Sequence, residues 1–298
     1  MDYLITGATG FIGRHLVPKL LAAGNEVNYL ARRRSASLDS RAAFHLWNPG
    51  EPPPLDSVPT VDIVMNLAGE PVAQRWTQPV KRRIYESRVD ATRRLVSAIE
   101  RLRHKPSVLI SASATGYYGD RSDEIITETS ARGHDFLAGL CAQWEQEALR
   151  AKEFGLRVVL LRIAPVLGRD GGMLAKILPV FRSGLGGRLA GGKQWMPWIH
   201  IEDLINILLF SAETPNVEGP LNATSPQPVT NAAFTHALGR ALHRPALFSV
   251  PQFALRLAFG ELARYMTASQ RVIPEAALAA GFRFKYPDLA GALRNLLE

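Results

Sequence analysis

The sequence predicts an α/β protein: a doubly wound parallel sheet with helices on both faces and a smaller C-terminal lobe. Three observations predict it. Short apolar runs alternate with helical patterns through about the first 165 residues, as parallel strands joined by crossover helices require. A glycine-rich turn stands between the first apolar run and the first helical pattern. Beyond that point the rhythm breaks, glycines gather (Gly168, Gly171, Gly172, Gly184, Gly186, Gly187, Gly191, Gly192) and the helical patterns shorten.

Each element follows from its own residues. Tyr3 to Thr6 is a short apolar strand, and Gly7 to Gly13 a turn with three glycines. Leu16, Leu20 and Leu21 mark one face of a helix ending near Gly24, and Glu26 to Leu30 is the second strand. Five prolines between Pro49 and Pro59 require an irregular loop. Asp62 to Leu67 reads as a buried strand, 77–103 as helix, Val108 to Ser111 as strand, 135–153 as helix and Val158 to Leu161 as strand. Residues 1–165 are expected to form one domain with later segments returning to it, and 166–298 mostly the smaller lobe.

Composition removes several function classes. The chain has 298 residues, 47% hydrophobic and 21% charged, which is ordinary for a globular protein. Its single Cys141 cannot form an internal disulfide, and no Cys/His cluster has zinc spacing, so no metal is expected. The N-terminus shows no secretory signal, and no stretch approaches 18 uncharged apolar residues, so a cytoplasmic protein without a membrane partner is the expectation. The net charge of +8 sits mostly in residues 1–105, which hold 16 basic and 10 acidic side chains. Aromatic residues are not interleaved with the basic runs, which speaks against nucleic acid as a partner.

Gly7-Ala8-Thr9-Gly10-Phe11-Ile12-Gly13 has the spacing G-x-x-G-x-x-G between a strand and a helix. Glycines there permit a tight turn and bring backbone N–H groups to a pyrophosphate, and the helix N-terminus adds positive potential. A site for NAD places an acid at the end of the second strand to bond the ribose 2′-hydroxyl. Here that strand ends in Ala31-Arg32-Arg33-Arg34, with no acid before Asp39. Arginine suits a 2′-phosphate, so NADP(H) is the expected cofactor, held by Gly7, Thr9, Gly10, Phe11, Ile12, Arg32 and Arg33.

Further landmarks follow in order: Asn66-Leu67-Ala68-Gly69, Ser111 to Gly119, Leu161 to Gly168, His200-Ile201-Glu202-Asp203 and Gly219-Pro220-Leu221-Asn222. With the glycine turn they resemble the extended short-chain dehydrogenase/reductase superfamily over most of the chain. Asn66 to Glu70, Ser87 to Thr92, Gly191 to His200 and the tail from Ser269 to Phe284 resemble more closely an atypical branch, the NAD(P)-dependent epimerase family proteins with a characteristic C-terminal segment. The resemblance implies a Rossmann fold that binds NADP(H), without indicating a substrate. It adds Leu67, Ala68, Gly69, Arg88, Ser111, Pro165 and Val166 to the expected cofactor contacts.

Members of that superfamily ordinarily use Ser/Thr with a Tyr-x-x-x-Lys pair, in which the lysine lowers the tyrosine pKa and holds the ribose, and a glutamate follows four residues later. Counting back from Glu145 places Cys141 where the lysine belongs and Leu137 where the tyrosine belongs. Neither can transfer a proton as that pair does. The remaining catalytic candidates are Ser113, at the substrate-orienting position, and Tyr117 and Tyr118 just beyond it. Cys141 lies on an apolar helical stripe and reads as a buried neutral thiol.

In the expected lobe, Lys193 beside Trp195 and Trp198 suits an anionic or sugar-like ligand, although the tryptophans suit a lobe core better. Asp203 reads as a capping or lobe-anchoring acid, and the amphipathic stretch 251–265 as a pocket closure or a dimer face. Two function classes stay open. One is an NADP(H)-dependent oxidoreductase or epimerase-like enzyme acting on a small molecule, as monomer or homodimer. The other is a non-catalytic NADP(H)-binding sensor or scaffold.

Overall fold

Seven strands form the central sheet of the protein, a computed structural model that describes all 298 residues. They are β1 (Asp2–Thr6), β2 (Glu26–Ala31), β3 (Ala43–Leu46), β4 (Ile63–Asn66), β5 (Val108–Ala114), β6 (Arg157–Ile163) and β7 (Gly219–Ala223). Their spatial order is β7-β6-β5-β4-β1-β2-β3, and every neighbouring pair is parallel. From β1 the chain runs outward through β2 to β3. It then returns to the other side of β1 and runs outward through β4, β5, β6 and β7. That reversal opens a crevice beyond the carboxyl ends of β1 and β4, the place where such sheets bind ligands.

Period-two alternation along the strands supplies a core on each face. Tyr3, Ile5, Tyr29, Met65, Ile110 and Leu161 pack on Leu16, Val17 and Leu20 of α1 (Phe11–Ala22) and on Leu204 and Leu208 of α6 (Ile201–Glu213). The intervening Leu4, Leu30, Val64, Leu109 and Leu160 pack on the opposite side against Leu95, Val96 and Ile99 of α3 (Ala91–Arg101) and Ala148 of α4 (Phe136–Leu149). Full burial of each such aliphatic side chain contributes roughly 1.5–3 kcal/mol.

The expected elements are present with three differences. Ala43–Leu46 adds an edge strand beside β2, pairing Asn28 with Ala43 through Ala31 with Leu46; four residues with a histidine among them are too few to show a period. β5 runs three residues past Ser111, because Ala112, Ser113 and Ala114 continue the ladder on β6. The helical stretch 77–103 divides into α2 (Gln78–Tyr85), a π-turn at Glu86–Asp90 and α3, since one extra residue per turn leaves no trace in the apolar period. After β6 the chain makes α5 (Gly172–Arg182) and α6 before β7 rejoins the sheet edge. The helices α7 (Asn231–Ala241) and α8 (Gln252–Phe259) follow, and α8 leaves Phe253 and Leu257 exposed. No helix is long and apolar enough to cross a membrane.

Candidate cofactor and active site

At the centre of the crevice, Gly7 has φ of +76°, and a Cβ there would lie 2.7 Å from the backbone carbon of Leu67. Only glycine lets β1 turn at that point with the end of β4 crossing so close. Thr6 fixes the crossing: its Oγ1 donates to Asn66 Oδ1 (2.8 Å) and accepts from the N–H groups of Leu67 (3.1 Å) and Ala68 (3.2 Å). Asn66 Nδ2 donates to Thr92 Oγ1 (2.8 Å) and Ser111 Oγ (3.2 Å). Trp144 Nε1 also donates to Thr92 Oγ1 (3.0 Å), so α3 and α4 are tied to the same strand ends. Ser111 is buried within this network.

Side chains cap α4 and α7, through Asp135 and Thr230, but α1 has Gly10 at that position and no side-chain cap. The N–H groups of Phe11, Ile12 and Gly13 have no acceptor in the protein. Four orphan N–H groups are the rule at a helix start, and an anion satisfies them. Thr9 and Gly10 are exposed, and Phe11 and Ile12 partly so. The Phe11 ring rests on Gly168 and Gly171, where a Cβ would come within 2.4 and 2.2 Å of it. His15 meets Phe11 edge-on at 5.3 Å and bonds Asp170 at 3.0 Å, drawing that glycine loop over the start of α1.

Arg32, Arg33 and Arg34 are exposed beyond β2, and none lies within ion-pair distance of a carboxylate. Asp39, the first acid after them, is bound by Arg41 (Nη2 to Oδ2, 2.7 Å), which holds its carboxyl down at about 2. A shallow groove beside Arg32 is lined by Leu46, Asn48 and Glu51. On the other side of β1, Arg88 projects from the π-turn beside Gly69. Pro165 is exposed after β6, and Val166 makes a short parallel ladder with Ile199.

The three catalytic candidates differ in what holds them. Ser113 is buried, and its hydroxyl donates to Glu145 Oε1 at 2.6 Å. Glu145 also receives Arg162 as a fork, from Nε and Nη2, each at 2.9 Å. Both members of the pair are buried, with side-chain exposures of 3% for Arg162 and 6% for Glu145. Arg162 Nη1 donates to the Tyr118 hydroxyl (3.0 Å) and to the Glu128 carbonyl (3.1 Å), and Tyr118 donates to Asn222 Oδ1 (2.7 Å). Burial pushes the Tyr118 phenol up to about 12, against the opposing pull of Arg162. Tyr117 is half-buried, has the Arg162 guanidinium over its ring at 3.6 Å, and has no hydrogen bond on its hydroxyl. Sequence reasoning missed this framework. The one available signal was Arg162, a charge inside the apolar strand Val158 to Ile163.

On α4, Leu137 packs where a Gly116 Cβ would lie 3.3 Å away, and burial drives the Cys141 thiol up to about 12. Trp198 is fully buried in the same core as Tyr3, Ile5 and Leu16, while Trp195 stacks with Arg271 (4.4 Å) and bonds Asp123. Lys193 is exposed. Asp203 is fully buried and accepts from the N–H groups of Lys285 (2.7 Å) and Tyr286 (2.9 Å), which ties α6 to the C-terminal segment. No group of three His, Cys, Asp or Glu side chains is arranged to hold a metal ion.

Comparison with known proteins agrees with this architecture. Residues 3–223 match the NAD dependent epimerase/dehydratase family, and residues 250–296 match a domain of unknown function, DUF1731. The chain is 39% identical to the epimerase family protein SDR39U1 homolog, chloroplastic, of Arabidopsis thaliana, over all of this chain and 87% of that protein. It is 42% identical to the epimerase family protein Mb2239 of Mycobacterium bovis over 97% of this chain and 95% of that one. The crystal structure of human epimerase family protein SDR39U1 (isoform 2) with NADPH superposes with a TM-score of 0.91, at 33% identity, covering 100% of this chain and 99% of that one. These matches together span the length of the chain, and the chain belongs to the NAD dependent epimerase/dehydratase family.

Proposed function

We propose that the chain binds NADP(H) across the crevice between β1 and β4 and acts as an oxidoreductase or epimerase-like enzyme on a small anionic or sugar-like molecule. The observation that carries the cofactor is the bare first turn of α1, with unpaired arginines beyond β2 and the nearest acid engaged by Arg41. The NADPH in the human relative supports the same reading. The residues fit the group: Gly7 leaves room that a Cβ would fill, and three N–H groups await an anion.

In this reading Gly7, Thr9, Gly10, Phe11 and Ile12 hold the pyrophosphate, and Arg32 and Arg33 the 2′-phosphate. Leu67, Ala68, Gly69 and Arg88 line the path over β4, Ser111 supports that strand end through Asn66, and Pro165 and Val166 flank the far side. Bound NADP(H) supplies a hydride to transfer. Tyr117 is the proton partner of the substrate, since its hydroxyl alone among the three candidates is free. Ser113 and Tyr118 hold the frame on which Tyr117 stands.

The engaged hydroxyls of Ser113 and Tyr118, with Leu137 and Cys141 on α4, favour the second reading, a non-catalytic NADP(H)-binding sensor or scaffold. One pair of experiments tests both. NADPH is expected to bind more tightly than NADH, and Arg32→Asp to erase roughly tenfold to a hundredfold of that difference. Equal affinities, or an unchanged ratio in the variant, would remove the NADP(H) assignment. Turnover of NADPH is then measured over a panel of carbonyl compounds and nucleotide sugars. Loss in Tyr117→Phe supports the enzyme, whereas tight binding with no turnover of any compound selects the sensor.

A further inference from the structure

Arg88 is a guanidinium packed against Gly69 just past the end of β4, and its surroundings are unusual for a charge. It sits on the π-turn between α2 and α3, a local distortion that turns the side chain in beneath Gly69. A Cβ at Gly69 would come 2.8 Å from Arg88 Cζ and 2.9 Å from Nη2, so glycine is needed there for the arginine to fit. Nη1 is anchored on the Glu70 carbonyl (2.9 Å), with longer contacts to the Ile84 carbonyl and Ser87 Oγ (3.4 Å each). The plane rests 5.3 Å from the Trp144 ring.

No carboxylate pairs with it, for the nearby Glu70 faces Arg83 instead at 3.7 Å. Burial correspondingly lowers the Arg88 pKa from its ordinary value. Nε and Nη2 have no acceptor in the protein. Each keeps some accessible surface, since the one fully buried side-chain polar atom without a partner is Ser211 Oγ.

The sheet order gives this fork a ligand. Arg32 lies beyond β2 on one side of β1, and Arg88 lies at the end of β4 on the other. A dinucleotide centred on the α1 turn with its 2′-phosphate at Arg32 lays its other nucleoside over β4. Two adjacent N–H donors with no acceptor suit a pair of neighbouring hydroxyl oxygens. We infer that Arg88 holds the hydroxyls of the nicotinamide-side ribose through Nε and Nη2, so that the cation absent from α4 enters the site from the π-turn instead. This rests on the NADP(H) reading and adds to it a specific half of the cofactor.

Calorimetric titration with NADPH and with 2′,5′-ADP, which lacks the nicotinamide nucleoside, separates the two. Arg88→Ala is expected to weaken NADPH about tenfold or more and to leave 2′,5′-ADP within about twofold, while Arg88→Lys recovers part of the loss. Arg32→Asp is expected to weaken both ligands. Retained 2′,5′-ADP binding shows that the Arg88 variant is folded; should Arg88→Ala not fold, Arg88→Lys and Arg88→Gln carry the same comparison. An equal loss for both ligands, or no loss for NADPH, overturns the role of Arg88 while leaving the cofactor reading standing. Failure of the unaltered protein to bind either ligand overturns both.

Discussion

Glu145→Gln keeps the length of the side chain and removes its charge, leaving the guanidinium of Arg162 buried with no counter-ion. Three hydrogen bonds change character at once, at 2.6 Å from Ser113 and 2.9 Å twice from Arg162. Removing one member of a buried pair ordinarily costs about 3–5 kcal/mol, and exposures of 3% and 6% place this pair in that class. Arg162→Met strands Glu145 in the same way and also takes a donor from the Tyr118 hydroxyl and the Glu128 carbonyl, so a similar loss is expected. The variant carrying both substitutions leaves neither of these two charges behind. Its loss is expected to fall short of the sum of the single losses by at least about 2 kcal/mol. Urea unfolding at neutral pH, followed by tryptophan fluorescence and circular dichroism, measures all four proteins. Additivity within about 0.5 kcal/mol would refute the reasoning, because it would mean that the two charges do not depend on one another.

Other outcomes follow from single sites. Cys141, with its thiol driven up to about 12 by burial, is expected to resist an aromatic disulfide reagent in the native protein and to react fully in urea; rapid native labelling would contradict its burial. Burial lowers His200 to about 4, below its ordinary 6.5, so its contribution to stability is complete above pH 6.5 and is lost as the pH falls toward 4, to a ceiling of about 3 kcal/mol. His200→Asn keeps an acceptor at the start of α6 and should flatten that part of the profile; parallel profiles for the two proteins would exclude His200 as the cause. Gly7→Ala is expected to destabilise by more than 1 kcal/mol and to abolish NADPH binding, since both the positive φ and the Leu67 backbone oppose a Cβ; calorimetric and thermal melts report the two effects.

What was legible in the sequence was local. A strand, a glycine turn and an amphipathic helix within 22 residues declare themselves through nearest-neighbour pattern, and the arginines beyond β2 through position alone. Ser113 was legible only through the superfamily resemblance, two residues past the strand read at Val108 to Ser111. That its proton is held by Glu145 depends on how α4 lies across β5, a tertiary fact that no period records. Arg162, Tyr118, Asn222 and Glu128 are likewise brought together from strands and loops up to 104 residues apart. The π-turn that aims Arg88 is one residue of slack in a helix whose apolar spacing looks unbroken.

Asn222 gives the C-terminal segment a status that its separate family match does not suggest. Its Nδ2 donates to the Ile273 carbonyl (3.0 Å) while its Oδ1 holds Tyr118 (2.7 Å), so one amide joins the tail to the buried Arg162–Glu145 frame. Glu128 bridges the same parts, accepting from the N–H groups of Asn222 (2.9 Å) and Ala276 (3.2 Å). Asp203 and Arg169 add ties to Lys285, Tyr286 and the Leu296 carbonyl. Cutting the chain before residue 250 would strand a fully buried carboxylate and orphan half of an amide inside the sheet edge. The tail is thus a component of the site's own architecture, and a gene that lost it would lose the frame rather than an accessory.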